Sequence, residues 1–100
     1  MAELKWLPQA LRDLDSIEGY YLEVSPGYAS IFVAGVFERV HSLAQMPELG
    51  RIVPEINDPQ IRELLHRGYR IIYFYDAVAK SVEILTLTHS AKLFGGSKER

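Results

Sequence analysis

The feature that most limits the fold of this chain is a change of hydrophobic period near its middle. Ala10, Leu14, Ile17, Tyr21 and Val24 recur at spacings of four, three, four and three residues, and Tyr28, Phe32, Val36, Val40 and Leu43 continue a helical repeat. Further along, Arg70-Ile71-Ile72-Tyr73-Phe74-Tyr75 and Val82-Glu83-Ile84-Leu85-Thr86-Leu87-Thr88 are rich in β-branched and aromatic residues. The first pattern lays an apolar stripe along one side of a helix, and the second suits half-buried strands. Two helical stripes followed by strand-forming runs bury each other best as a helical layer on a sheet.

Punctuation along the chain sharpens this. Residues 4–7 precede Pro8, which favours a first helical turn and cannot donate to a ladder, so a short strand is expected before a helix over residues 8–24. Arg12, Asp13, Asp15 and Glu18 take the remaining sides of that helix. Ser25-Pro26-Gly27 then supplies an N-cap candidate followed by a helix-starting proline, so a second helix over residues 26–46 should follow at once, stopped by Pro47. A link this short makes the two helices an antiparallel hairpin. A strand is expected over residues 60–66, turned by Gly68, and Asp76-Ala77-Val78-Ala79-Lys80 has the length of a hairpin loop between antiparallel strands. The predicted fold is α+β, with an N-terminal strand and a helical hairpin packed on a mostly antiparallel sheet. Residues 1–94 should form one domain, and residues 95–100, with almost nothing to bury, a flexible tail.

Composition removes whole classes of chemistry. The 100 residues contain no cysteine, which excludes disulfides, thiolate-bound metals and thiol catalysis. His41 and His66 have no carboxylate or histidine at ligand spacing, so neither a metal nor a cofactor is expected. The longest uncharged stretch, residues 24–37, is 14 residues long and broken by Pro26, Gly27 and Gly35, short of the ~20 needed to span a bilayer. Charges also crowd the first fifteen residues, and a cytoplasmic location is expected. The net charge of −2 does not suit a chain built to grip nucleic acid, although it is uneven. Residues 1–50 hold three bases against seven acids, and residues 51–100 hold eight against six.

The order of smaller features carries a resemblance. Trp6, Ala10, Asp13-Leu14, Ile17 and Tyr20-Tyr21 are followed by Ala29, Phe32, Leu43 and Pro47. Gly50-Arg51, Pro54-Glu55, Ile61-Arg62-Glu63-Leu64, Tyr69-Arg70-Ile71-Ile72-Tyr73 and Val82-Glu83-Ile84-Leu85 come next, ending in His89. In order and spacing the chain resembles the RelE/ParE superfamily, the small toxins of bacterial toxin-antitoxin pairs. The resemblance implies a cognate antitoxin as partner in a hetero-oligomer, and one of two activities. ParE-like members bind and poison DNA gyrase without catalysing anything. RelE-like members cut mRNA on the ribosome as metal-independent endoribonucleases, and Glu55, Arg70 and His89 resemble the residues some of them use.

A nuclease of that kind needs a base, an acid and a cation converging on one phosphate. If the strands pair as expected, Arg70 and His89 should share a sheet face. His89 equally suits a plain strand end. The mRNA-cleaving relatives usually add a C-terminal tyrosine or a lysine cluster, whereas this chain has only Lys5, Lys80, Lys92 and Lys98, and its pI is near 5.9. Both departures favour the gyrase-poisoning branch. Phe94 is a candidate to stack a base or to pack on the core. Arg51, Arg62, Arg67 and Arg70 form a basic cluster expected to meet acidic side chains of an antitoxin or target, with Glu55, Asp58 and Glu63 as possible internal partners.

Overall fold

In a computed structural model, which describes residues 1–92, the chain runs β1 (Glu3–Trp6), α1 (Pro8–Val24), α2 (Pro26–Ser42), β2 (Arg51–Ile52), β3 (Ile61–His66), β4 (Tyr69–Asp76) and β5 (Ser81–His89). The five strands form one sheet in the order β1-β5-β4-β3-β2. Among the described strands only the β1–β5 pair is parallel. The helical hairpin is the long connection between β1 and the remaining strands, and it covers one face of the sheet. Phe32, Val36, Val40 and Leu43 of the second helical stretch and Leu14 of α1 meet Leu64, Ile71, Tyr73, Val82, Ile84 and Leu87 in the core. No helix among the described residues is long and apolar enough to cross a membrane.

The expected helices are present, with local differences. Helix α2 ends at Ser42 rather than at residue 46, because the N–H groups of Leu43, Ala44 and Gln45 donate to carbonyls three residues back and tighten the last turn. Ser25 stands at the N-cap of α2, yet its hydroxyl makes no capping bond. Its backbone does the work for both helices: its N–H donates to the Tyr21 carbonyl and its own carbonyl accepts from Tyr28 and Ala29. Val24, assigned to the apolar stripe, lies at the end of α1 and is 58% exposed. The strand β2 was not foreseen. The expected flexible tail and Phe94 lie outside the described residues.

Two positions explain how the sheet is finished. β1 ends at Trp6, opposite Ile84, so beyond that point the edge of β5 facing away from β4 has no strand beside it. The Asp13 carboxylate of α1 fills the gap, accepting the Leu87 N–H at 3.1 Å and the Thr86 hydroxyl. At the other side, Arg67 and Gly68 both adopt positive φ, 49° and 87°, which makes the two-residue turn joining β3 to β4.

Candidate functional site

Alternation along β4 sends Ile71 and Tyr73 toward the helices and Arg70 and Ile72 to the opposite face. Pairing sets Glu63 opposite Ile72 on one side and opposite Arg51 on the other, so Glu63 lies between two arginines from neighbouring strands. Arg51 Nε donates to Glu63 Oε2 at 2.6 Å, and Arg70 Nε donates to Glu63 Oε1 at 2.6 Å. Arg70 also reaches out of the sheet: Nη2 donates to Glu55 Oε1 at 2.9 Å and Nη1 to the Lys92 carbonyl at 2.8 Å, with Glu55 Oε2 2.7 Å from Nη1. The Glu63 side chain is fully buried and that of Arg70 is 5% exposed. Hydrogen bonding to the Glu55 carboxylate, opposed by desolvation and reinforced by Glu63, holds the Arg70 guanidinium above its ordinary pKa. This network fastens residues 53–58 and the end of the described chain across the open face.

The loop before β2 is set by a close approach. Tyr73 crosses the core so that its hydroxyl donates to the Pro47 carbonyl at 2.7 Å and accepts the Gly50 N–H at 2.9 Å. Burial pushes the Tyr73 hydroxyl pKa up, keeping it a neutral donor. A Cβ on Gly50 would lie 2.6 Å from the Glu63 carbonyl oxygen and 2.7 Å from the Tyr73 hydroxyl, so only glycine fits there.

The three residues expected at a nuclease centre are divided. Glu55 and Arg70 are in contact, whereas His89 is on the other face of the sheet. It pairs with Tyr69, its ring lies 5.5 Å from the Tyr69 ring, and Tyr69 in turn packs 5.4 Å from Phe32 on the helical side. The expectation that Arg70 and His89 share a face is therefore corrected. The cause is a bulge: Tyr73 pairs with Ile84 but Ile72 with Thr86, leaving Leu85 as an extra residue in β5. That single residue shifts every later position of β5 by one and turns His89 over. His89 is exposed, and its Nδ1 accepts the Ala91 N–H at 3.1 Å.

The arginines expected as one cluster are also dispersed. Arg51 and Arg70 flank Glu63, while Arg62 donates to the carbonyls of Pro59 and Gly50, both at 3.0 Å. Arg67, in the β3–β4 turn, lies 5.6 Å from the Tyr28 ring centroid. Asp58 accepts the Gln60 N–H, and among the described residues it forms no salt bridge with an arginine. Arg39 escaped the sequence reading, being an isolated base in the acidic half. It reaches β3 from α2 and donates to the Leu65 carbonyl at 2.9 Å.

The chain matches, over residues 4–94, the family described as the ParE toxin of the type II toxin-antitoxin system parDE. It is 32% identical over 93 residues to Toxin RelE2 of Caulobacter vibrioides, spanning 93% of this chain and all of the relative. Its fold is similar to that of a chain in the chromosomal ParDE system from P. aeruginosa, with a TM-score of 0.73 and 27% identity over 89% of this chain and 96% of the other. A chain in the RelBE2 toxin-antitoxin complex of Mycobacterium tuberculosis shares the fold at a TM-score of 0.61 and 21% identity, covering 88% and 96% of the two chains. The chain thus belongs to the ParE toxin family within the RelE/ParE superfamily of type II toxin-antitoxin systems.

Proposed function

We propose that this toxin inhibits growth by poisoning DNA gyrase in the cytoplasm, without catalysis of its own, and that a cognate antitoxin neutralises it in a toxin-antitoxin hetero-oligomer. The observation that carries the reading is the state of Arg70. Its guanidinium is committed to two carboxylates and a carbonyl in a nearly closed setting, so it holds the sheet together rather than awaiting a phosphate. A general acid or base at His89 would work from the far side of the sheet. The match to the ParE family and the likeness to a ParDE chain support the gyrase-poisoning branch, and the toxin-antitoxin assemblies among its structural relatives support the antitoxin.

The contact between Glu55 and Arg70, together with the relative named RelE2, favours the second reading, a ribosome-dependent mRNA endoribonuclease. Expression of the wild-type chain and of His89→Gln separates the two. A gyrase poison should trigger DNA damage signalling, leave mRNA without codon-positioned cuts, and keep growth inhibition within a few-fold in the variant. Discrete mRNA cuts by the wild type, lost in His89→Gln, would establish the nuclease instead, because losing a general acid or base costs about 10²- to 10⁴-fold in rate.

A further inference from the structure

Beside the second half of α2, where β3 turns into β4, lies an open groove of about 340 Å³ lined by Gly35, Glu38, Arg39, Ser42, His66 and Arg67. We propose that this groove is an oxyanion site whose occupant is an acidic side chain of the antitoxin, an inference that rests on the antitoxin partnership proposed above. Arg39 comes from the helix and Arg67 from the strand turn, and among the described residues neither forms a salt bridge, in contrast to Arg51 and Arg70. Arg39 Nη2 is anchored on the Leu65 carbonyl, yet its Nε is buried and has no acceptor among the described residues. A buried donor without an acceptor is a standing demand for one, and a carboxylate satisfies a guanidinium best through two parallel bonds. Arg67, placed against Tyr28, brings the second positive charge.

Gly35 and His66, on the floor of the groove, add no negative charge to it. Gly35 allows the His66 ring against the helix, since a Cβ there would come within 2.6 Å of His66 Cε1. The ring nitrogen Nε2 lies 3.3 Å from the Phe32 carbonyl, within donating reach of it. Burial, with Arg67 and Arg39 nearby, holds His66 below its ordinary pKa, so the ring stays neutral and two guanidiniums face the single carboxylate of Glu38. The Ser42 hydroxyl is already donating to the Glu38 carbonyl. A groove open to the surface suits a side chain presented by a partner. Ile31, 54% exposed and one helical turn before Gly35, offers apolar contact beside it. The acidic balance of the rest of the chain makes this a local attraction for one carboxylate rather than a track for a polyanion.

The test has two arms on the full chain. In the first, inorganic phosphate and then acetate are titrated while NMR follows the Arg39 Nε–H and the His66 ring. Saturable shifts at both are expected in the wild type, with the His66 shift lost in Arg39→Gln and both shifts lost in Arg67→Gln, together with a rise in the His66 pKa as the anion binds. In the second, affinity is measured for the antitoxin product of the neighbouring reading frame. Arg39→Gln with Arg67→Gln should weaken it by at least about 10-fold, while Arg12→Gln on the outer face of α1 leaves it unchanged. Arg39→Lys should recover part of the affinity, and dispersed spectra report that each variant folds. No saturable shift overturns the site. Saturable shifts with unchanged antitoxin affinity overturn the occupant and leave a free-anion site. Failure of the wild-type chain to bind any such product overturns the antitoxin reading itself, and the first arm still decides whether the groove binds an oxyanion.

Discussion

Replacing Arg70 with alanine removes the cation that neutralises Glu63, whose side chain is fully buried, and Glu55, whose side chain is 13% exposed. Breaking a buried ion pair from one side costs about 3 to 5 kcal/mol, because a desolvated charge is left behind. Arg51 still contacts Glu63, which draws the loss toward the lower figure, but the bond to the Lys92 carbonyl and the tie to residues 53–58 go as well. Domains of this size are stable by roughly 5 to 15 kcal/mol, so a loss of at least about 3 kcal/mol in Arg70→Ala is about a fifth or more of the total. Urea unfolding followed by circular dichroism reads this directly. With a slope of about 1 to 3 kcal/mol per molar, the midpoint should fall by at least ~1 M. The double change Arg70→Met with Glu63→Leu removes both charges and should be milder than Arg70→Ala alone. Arg51, with its side chain 59% exposed, should cost no more than about 1 kcal/mol as alanine. A loss below ~1 kcal/mol for Arg70→Ala, or a double variant less stable than the single one, would refute the structural role assigned to Arg70.

Three further outcomes are expected. Phe32→Ala should cost roughly 3 to 5 kcal/mol in the same denaturation assay, since it empties a fully buried ring position between the helices and Tyr69. Gly50→Ala should lower the melting temperature by several degrees at least, because its Cβ meets the Glu63 carbonyl and the Tyr73 hydroxyl, and overpacking costs about 1 to 3 kcal/mol. His66 is held below its ordinary pKa in the fold, so the unfolded chain takes up its proton first as pH falls. The stability linked to His66 should be complete above about pH 6.5 and decline below it, and the gap between wild type and His66→Gln, measured across pH, should narrow on the acid side only.

What the sequence makes legible is what repeats. Leu14 and Ile17, then Phe32, Val36 and Val40, mark helix faces that do meet the sheet, and Ile71, Tyr73, Val82 and Ile84 supply the other side of the core. The two-residue strand β2 has no period to read, and it exists because Gly50 and Tyr73 bring the chain alongside β3. The site suffered from a subtler cause. Without the bulge at Leu85, the register that pairs Tyr73 with Ile84 would have placed His89 on the face of Arg70. A one-residue slip leaves no mark in composition or alternation, since Leu85, Thr86 and Leu87 all suit a strand. Charge alone was equally blind. Arg51, Arg62, Arg67 and Arg70 are close in sequence, but they are distributed over β2, β3, the β3–β4 turn and β4, while Arg39 and Arg67, far apart in the chain, line one groove.

We propose that this ParE-family toxin acts on gyrase and cuts nothing itself. Purified chain added to gyrase, ATP and supercoiled plasmid tests it most directly, with linear DNA covalently attached to gyrase counted after detergent and protease. The expected result is linear plasmid that accumulates with toxin dose, persists in His89→Gln and disappears when antitoxin is added first. Plasmid that stays intact, while the same preparation cuts ribosome-bound mRNA at fixed codon positions and loses that cutting in Glu55→Gln, would contradict it.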